Sequence, residues 1–291
     1  MLTLRRKILF TVIGVFAILI VVLYLIADWI AVTTLQRLED QISRQNVARV
    51  VQTLQNEVST LERATGDYAK WDDTYDFIEK ARQGITDKKY VDTNFSDANM
   101  ESNRLNLLVY VDSTGQIRAQ KAFELDKEHE IPVPTSFVEK TLPQLLHPTD
   151  TINPTSGIID YDYGLMLVSS YPILPGSGVG PNRGSLIFGR LLDATKIKRL
   201  TEITLLPFTV FSLHDVAALP AEIKPDLANL KSPNTIVLHP ISQDQIIGYT
   251  YLRGVDNAPI ALLQVNMQRA IQEQGHVSLN YLLIALIIFL L

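Results

Sequence analysis

The chain has 291 residues, a formal net charge of −5 and no cysteine. The absence of cysteine excludes disulfides and thiolate metal sites, and a charge this close to neutral gives no electrostatic basis for nucleic-acid binding. The length allows two ordinary domains or one large domain.

The N-terminal part of the chain predicts a membrane anchor. Residues 8–26 are almost unbroken apolar, and as a helix they are long enough to cross a hydrocarbon core of about 30 Å. Arg5, Arg6 and Lys7 precede this run, so the positive-inside rule predicts that residues 1–30 form a cytoplasmic tip and a first transmembrane helix. A cleaved signal peptide is the alternative, but the run exceeds a usual h-region and no small-x-small cleavage site follows.

The other end of the chain is apolar again. Residues 281–291 contain only apolar side chains, and at 1.5 Å per residue they cover about half of a bilayer core. We expect residues 278–291 to begin a second transmembrane helix that the sequence cuts short, with a cytoplasmic output domain beyond it. The predicted location is a bacterial inner membrane, with the intervening segment periplasmic or extracellular.

Residues 31–80 predict a long helix with a heptad pattern. Apolar residues alternate at spacings of four and three over about three heptads, which is typical of a coiled-coil seam. The stripe either packs on a sheet of its own chain or pairs two copies across a two-fold axis. The candidate interface of the predicted homodimer is Val47, Val51, Leu54, Val58 and Leu61.

An aromatic–acid motif, residues 67–77, ends this helix. At about 100° per residue, Tyr68, Trp71, Asp72 and Tyr75 share one helix face, and Asp76 flanks it. Aromatic rings beside carboxylates suit a cationic ligand, and we expect an amine or an amino acid as an unknown small-molecule ligand.

Two other roles of this motif stay open. Arginine pairing would make it a structural clasp between helix and sheet, and a direct dimer contact is the remaining possibility. Arginines, Arg104 among them, also allow a carboxylate-bearing ligand. The candidate ligand-binding residues are Tyr68, Trp71, Asp72, Tyr75, Asp76, Arg118 and Arg190.

Most of the remaining chain predicts strands. Residues 83–104 are polar and predict a connector with turns, and then 105–111 and 116–123 flank Asp112-Ser113-Thr114-Gly115 as a hairpin. A short helix is expected within 134–146, strands at 164–174 and 185–192, and a linking helix at 193–202. A second set of strands is expected at 208–213, 235–239, 245–252 and 260–265. The pattern predicts an α/β (α+β) fold with one antiparallel sheet and a smaller second sheet.

Catalytic constellations are missing from the sequence. Gly176-Ser177-Gly178 lies among glycines and prolines and does not match G-x-S-x-G, and the five histidines are dispersed outside any H-E-x-x-H motif. We therefore expect no enzyme activity, no metal and no cofactor in this segment.

The motif Trp71-Asp72-Asp73-Thr74-Tyr75-Asp76-Phe77, with Asn94-Phe95, the hairpin around Asp112 and the segment 185–193, resembles the CHASE4 family of extracytoplasmic sensor domains. The resemblance covers residues 31–200. It implies a Cache/PAS-like sensor lobe at 81–200 and a smaller membrane-proximal lobe at 201–277.

By this resemblance, the segment senses a ligand or a periplasmic binding protein. The resemblance also implies a cytoplasmic output domain, either a GGDEF/EAL domain of cyclic-di-GMP turnover or a histidine kinase. The alternative function is a membrane-anchored envelope domain that binds another protein without signalling. An anchored hydrolase is the third and weakest reading, because it lacks a catalytic constellation.

Overall fold

A computed structural model describes residues 4–147, 152–215, 217, 219–221, 223–225, 227, 230, 235–269, 281, 284–285 and 288. Contacts divide the chain into two compact units. The first comprises Met1–Ala48, Ile236–Tyr249 and Val265–Leu291, and the second comprises Arg49–Thr235 and Thr250–Gln264.

Membrane spans are not confirmed. Among the described residues, no helix combines the length and apolarity that a membrane crossing needs. Most of the predicted start of a second span, 278–291, lies outside the described residues, which here are 281, 284–285 and 288. Both predicted spans therefore stay predictions.

The helical part of the chain departs from prediction in two places. Helix α1 (Leu4–Ala69) stops before the aromatic–acid motif ends, and α2 (Asp72–Arg82) starts after Trp71, whose backbone is extended at φ −72° and ψ 136°. The spacing of the motif predicted one continuous helix, but the structure divides the motif between α1 and α2.

The polar connector is also helical. It forms α3 (Lys88–Asn94) and α4 (Asp97–Asn103). Asp87 and Ser96 are the caps, because their side chains accept hydrogen bonds from the backbone N–H groups of Tyr90 and Asn99. The expectation of turns without a helix at 83–104 is therefore wrong.

The larger sheet is antiparallel and has six strands in the order β3-β2-β1-β6-β5-β4. The predicted hairpin is present as β1 and β2, with Val111 opposite Ile117. The sequence prediction omitted β3 and β4. The strands are β1 (Leu107–Asp112), β2 (Ile117–Glu124), β3 (His129–Ile131), β4 (Thr155–Tyr161), β5 (Gly164–Pro172) and β6 (Gly184–Leu191).

Both faces of this sheet are covered, which explains why every residue of β1 is buried. On one face, Val109 and Ile187 belong to a core with Phe137 and Leu142, from the π-helical turn Phe137–Thr141 and from α5 (Leu142–Leu145). On the other face, Tyr110 meets the edge of Phe77 from α2. The sheet is therefore the centre of a layered α+β domain.

The second sheet is smaller. Helix α6 (Ala194–Thr204) follows β6, and four further strands pair in the order β7-β10-β9-β8. They are β7 (Phe208–Ser212), β8 (Val237–Pro240), β9 (Gln245–Arg253) and β10 (Pro259–Gln268). The prediction of an α+β fold with a large antiparallel sheet and a smaller second sheet is confirmed.

The heptad stripe of α1 is largely buried within its own chain. Val47 and Leu61 are fully buried and Leu54 is 2% exposed. Val51 and Val58 are half-buried. Packing within the chain, one of the two alternatives for this stripe, thus accounts for three of the five candidate interface positions.

Candidate functional site

The aromatic rings of the motif pack on the sheet and on α4. Tyr68 stacks on Trp71 with ring centroids 4.1 Å apart and meets the edge of Phe188 at 5.3 Å. The Tyr68 hydroxyl donates to Asn99 Oδ1 at 3.3 Å and accepts from Asn103 Nδ2 at 3.1 Å. Trp71 remains 43% exposed. Tyr68 is therefore fixed by the protein itself, while one side of Trp71 faces solvent.

Two polar groups of the motif bind the loop between β5 and β6. Asp72 Oδ1 accepts a hydrogen bond from the Gly176 backbone N–H at 2.8 Å, and the Tyr75 hydroxyl donates to the Pro181 carbonyl at 3.2 Å. A Cβ atom on Gly176 would lie 3.0 Å from the same Asp72 oxygen, so the loop approaches the carboxylate closely. Asp76 is exposed.

Arg183 completes this contact, although sequence reasoning did not single it out. Its guanidinium lies 3.8 Å from the centroid of the Tyr75 ring, and its Nε is 3.4 Å from Glu79 Oε2. Its Nη1 also donates to the Tyr75 carbonyl at 3.4 Å. The term loop clasp is used below for Asp72, Tyr75, Glu79 and Arg183 with the loop at 173–183.

Arg118, a candidate ligand-binding residue, pairs with Asp112 instead. Both Nε and Nη2 lie 2.5 Å from Asp112 Oδ2. Asp112 Oδ1 accepts from Thr114 N, Thr114 Oγ1 and Gln116 N at 2.8, 2.6 and 3.1 Å. Burial raises the pKa of the Asp112 carboxyl, but these hydrogen bonds and Arg118 outweigh it, so the pKa is lowered. Arg118 therefore stabilises the β1–β2 turn.

Arg190, the other arginine among the candidate ligand-binding residues, has a guanidinium group with few hydrogen-bond partners. Its Nη2 donates to the Asn103 carbonyl at 3.0 Å, whereas its buried Nε finds no acceptor among the described residues. Burial lowers the pKa of the Arg190 guanidinium; Glu57 opposes that shift, and Arg104 and Arg199 add to it. Within the described chain, neither Arg118 nor Arg190 pairs with Asp72 or Asp76. The motif is therefore held by the loop clasp, with Arg183 as its arginine, and not by the predicted pairing with Arg118 or Arg190.

A buried chain of hydroxyl groups joins the helices to the sheet beneath the motif. Thr74 Oγ1 lies 2.6 Å from the Tyr90 hydroxyl, which lies 2.9 Å from the Tyr110 hydroxyl. Phe77 stacks on the Tyr90 ring at 4.3 Å. Sequence reasoning missed this chain because its members lie on α2, α3 and β1, and residues 83–104 were not expected to be helical. Its role is to satisfy buried polar groups.

Within the described residues, these contacts are not accompanied by a metal-binding arrangement. Across the described residues, no group of histidine and acidic side chains has the geometry to hold a metal ion. The site consists of aromatic, acidic and arginine side chains on helices that cover an antiparallel sheet.

The elements form an α+β domain in which a long helix leads into a large antiparallel sheet, and the aromatic–acid motif lies on the helices that cover this sheet. The model of the CHASE4 domain matches residues 53–211, which is more than half of the chain. The chain belongs to the CHASE4 family, as its motifs predicted.

A relative in sequence is a histidine kinase. The methanogenesis regulatory histidine kinase FilI of Methanothrix harundinacea (strain 6Ac) is 27% identical over 277 residues, which cover 94% of this chain and 30% of the kinase. The chain thus spans less than a third of that relative.

Two solved structures share the fold at 11% identity with a TM-score of 0.54 each. One is the extracellular domain assigned to the histidine kinase vpHK1S-Z8, with 83% of this chain and 95% of that domain covered. The other is a domain assigned to a sensory box/GGDEF family protein from Vibrio parahaemolyticus, with 81% and 98% covered.

Proposed function

We propose that the chain is the extracytoplasmic ligand-sensing module of a membrane-bound signalling receptor. The observation that carries this proposal is the CHASE4 match over residues 53–211, which spans the C-terminal part of α1 and the whole six-stranded sheet. In the histidine kinase relative, the matched region is 30% of the protein. That proportion supports a separate output domain, either a histidine kinase or a cyclic-di-GMP enzyme.

The mechanism we propose is a population shift between two packings of α1. This helix runs without a break from Leu4 to Ala69, so it provides a continuous element along which a rearrangement at its end beside the sheet would be transmitted. A ligand that binds one packing better than the other shifts the equilibrium toward it.

The proposed receptor is a homodimer whose α1 helices are adjacent. Because Leu54 and Leu61 are buried in their own chain, a partner would meet half-buried Val51 and Val58 and their exposed neighbours. Cysteines at the exposed positions Gln52, Gln55 and Ser59 should cross-link between chains in membranes. The chain has no native cysteine, so every cross-link must come from an introduced cysteine. Uniform absence of cross-links at these positions would contradict a dimer through this surface.

A reporter chimera tests the sensing function directly. The chain is fused to the output domain of a histidine kinase with a phosphotransfer readout and exposed to amines, amino acids, carboxylates and phosphate. We expect at least one class of compound to change phosphotransfer by several-fold. The control keeps α1 but lacks residues 72–268, and it should not respond. Equal responses in the chimera and the control would reject the proposal.

A topology test complements the chimera. Reporter enzymes fused at residue 60 should be active when the reporter requires export, because Arg5, Arg6 and Lys7 precede the apolar run. Activity only of a cytoplasmic reporter would contradict the proposed location.

A further inference from the structure

A cavity of about 640 Å³ lies where β6 ends, bounded by residues of α4, of α6 and of the connection between β2 and β3. Its volume is that of a small-molecule site. It is separate from the loop clasp, whose residues do not line it. The side chains that matter for its chemistry are Arg104, Arg190, Lys196 and Arg199.

Three guanidinium groups converge on this cavity. Arg190 comes from β6, Arg199 from α6, and Arg104 follows α4. The backbone of Arg104 is left-handed at φ 51° and ψ 47°, a conformation that a residue with a Cβ adopts at a cost. Arg104 and Arg199 are both close enough to Arg190 to lower its pKa by repulsion. The fold thus holds three like charges together.

The negative charge in the interior is insufficient to balance them. Glu57 of α1 forms a tight ion pair with Lys196, and it is also the group that raises the pKa of Arg190. In the described part of the chain, Arg104, Arg190 and Arg199 have no carboxylate within ion-pair distance. Arg190 Nε is also buried without an acceptor. The Glu57 carboxylate therefore lies beside two cations, Lys196 and Arg190, and the exposed Arg104, Lys198 and Arg199 also line the cavity.

Among the described residues, the acidic side chains that line the cavity form no ion pair with Arg104, Arg190 or Arg199. Asp193 caps α6 by accepting from the Lys196 backbone N–H at 2.7 Å, and Asp126 accepts from the Thr195 hydroxyl at 3.4 Å. Glu101, Glu128 and Glu202 are exposed, as Arg104, Lys198 and Arg199 are, so solvent screens all of these charges, whereas the Nε of Arg190 is buried. An amine in this cavity would leave the guanidinium groups unpaired.

We infer that this cavity binds a small oxyanion, a carboxylate or a phosphate group, through the guanidinium groups of Arg104, Arg190 and Arg199. A planar guanidinium presents paired N–H donors that match two oxygens of such a group, and these charge-assisted hydrogen bonds are strong. The inference rests on the proposed sensing function only for its signalling consequence, because binding itself follows from the geometry of the cavity.

The test is calorimetric titration of the full chain with two probes, sodium succinate and sodium phosphate, at ionic strength matched with sodium chloride. The test variant is Arg104→Gln with Arg199→Gln, because both side chains are exposed and their loss leaves the core intact. The matched control is Arg63→Gln, an exposed arginine of α1 that contacts Thr60. Thermal melts confirm that both variants fold.

We expect at least one probe to bind the wild type and the control equally well. Binding to the double variant should be weaker by roughly tenfold to a hundredfold for each charge-assisted contact that is lost. The stronger probe tells whether the natural ligand carries a carboxylate or a phosphate. Failure of both probes to bind at millimolar concentration, or equal binding by the double variant, would overturn the inference.

The reporter chimera separates this inference from the proposed function. If the anion binds the cavity but phosphotransfer does not change, the cavity is an anion site and the sensing role of that ligand is rejected. If phosphotransfer responds to other compounds while neither anion binds, the sensing function stands and the anion site is rejected.

Discussion

The two ends of strand β6 use arginine in opposite ways. Arg183 precedes the first residue, Gly184, which lies opposite Asp112 in the register of β1 and β6. At that end, Arg183 contacts Glu79 and Tyr75, and Arg118 contacts Asp112. At the other end, Arg190 makes one hydrogen bond to a carbonyl and lies near two further arginines.

This difference separates a structural role from a binding role more clearly than residue type does. A charge that has its counter-charge and its hydrogen bonds within the fold contributes to the fold. Charges of one sign that are held together without a partner cost stability, and a ligand that supplies the missing charge would offset that cost. The Asp112 end belongs to the first kind, and the inferred anion site assigns the Arg190 end to the second.

The largest expected effect is at Asp112. Asp112→Asn keeps the shape of the side chain but removes the charge that faces Arg118. Because the Asp112 side chain is fully buried, we expect the free energy of unfolding to fall by about 2 to 3 kcal/mol. Urea denaturation at pH 7 measures this change, with the exposed Asp92→Asn as control. An equal effect of both variants would contradict a structural role of the Asp112–Arg118 pair at the first end of β6.

The same carboxylate predicts a dependence on pH. The pKa of Asp112 is lowered in the folded chain, so its ionised form is favoured by folding. Its contribution is complete above the unfolded value of about 3.9 and is lost as the pH falls through the lower folded value. Denaturation from pH 7 to pH 2 should show the difference between wild type and Asp112→Asn shrinking below about pH 4. A constant difference would contradict the lowered pKa.

A matched pair of arginine variants compares the two ends directly. Arg183→Met removes an ion pair and a guanidinium stacked on Tyr75, and should lower stability by about 1 to 2 kcal/mol. Arg190→Met removes a partly buried charge with one hydrogen bond, and we expect stability within about 1 kcal/mol of the wild type. Anion binding should be lost only in Arg190→Met. A larger loss of stability in Arg190→Met than in Arg183→Met would reverse the assignment.

Apolar runs and turn signals predicted the strands except β3 and β4, because these features are local, and the family followed from the resemblance of the motifs. The sequence patterns failed at 83–104, where Asn, Asp and Lys resemble a turn region but Asp87 and Ser96 cap two short helices. They also failed at the end of α1, where the spacing of Tyr68 and Trp71 is the same whether or not the helix continues.

The candidate site required three-dimensional information. Arg183 meets Tyr75 across 108 residues, and that contact depends on the loop between β5 and β6. Arg118 and Arg190 carry the same charge in the sequence, and only the fold shows that the first forms an ion pair with Asp112 while the Nε of the second is buried without an acceptor among the described residues. Arg199 was not considered in the sequence, because its proximity to Arg190 follows from the position of α6 beside the end of β6.

The smallest expected effect concerns the loop clasp. Asp72 is exposed and accepts one hydrogen bond, from Gly176 N–H, so Asp72→Ala should lower stability by about 0.5 to 1 kcal/mol. Asp72→Asn retains an acceptor oxygen and should have less effect, and Asp76→Asn serves as an exposed control. Thermal melts of these variants measure the effect.

The same variants test whether the clasp also binds a cation. An amine held between Asp72 and the exposed face of Trp71 would raise the melting temperature of the wild type, and Asp72→Asn would abolish that rise. We expect no rise with ethylamine or glycine, because the loop at 173–183 contains no carboxylate to join Asp72, and the guanidinium of Arg183 already occupies the face of the Tyr75 ring. A rise in melting temperature that depends on Asp72 would place a ligand at the Arg183 end of β6. The assignment of a structural role to that end and a binding role to the Arg190 end would then be wrong.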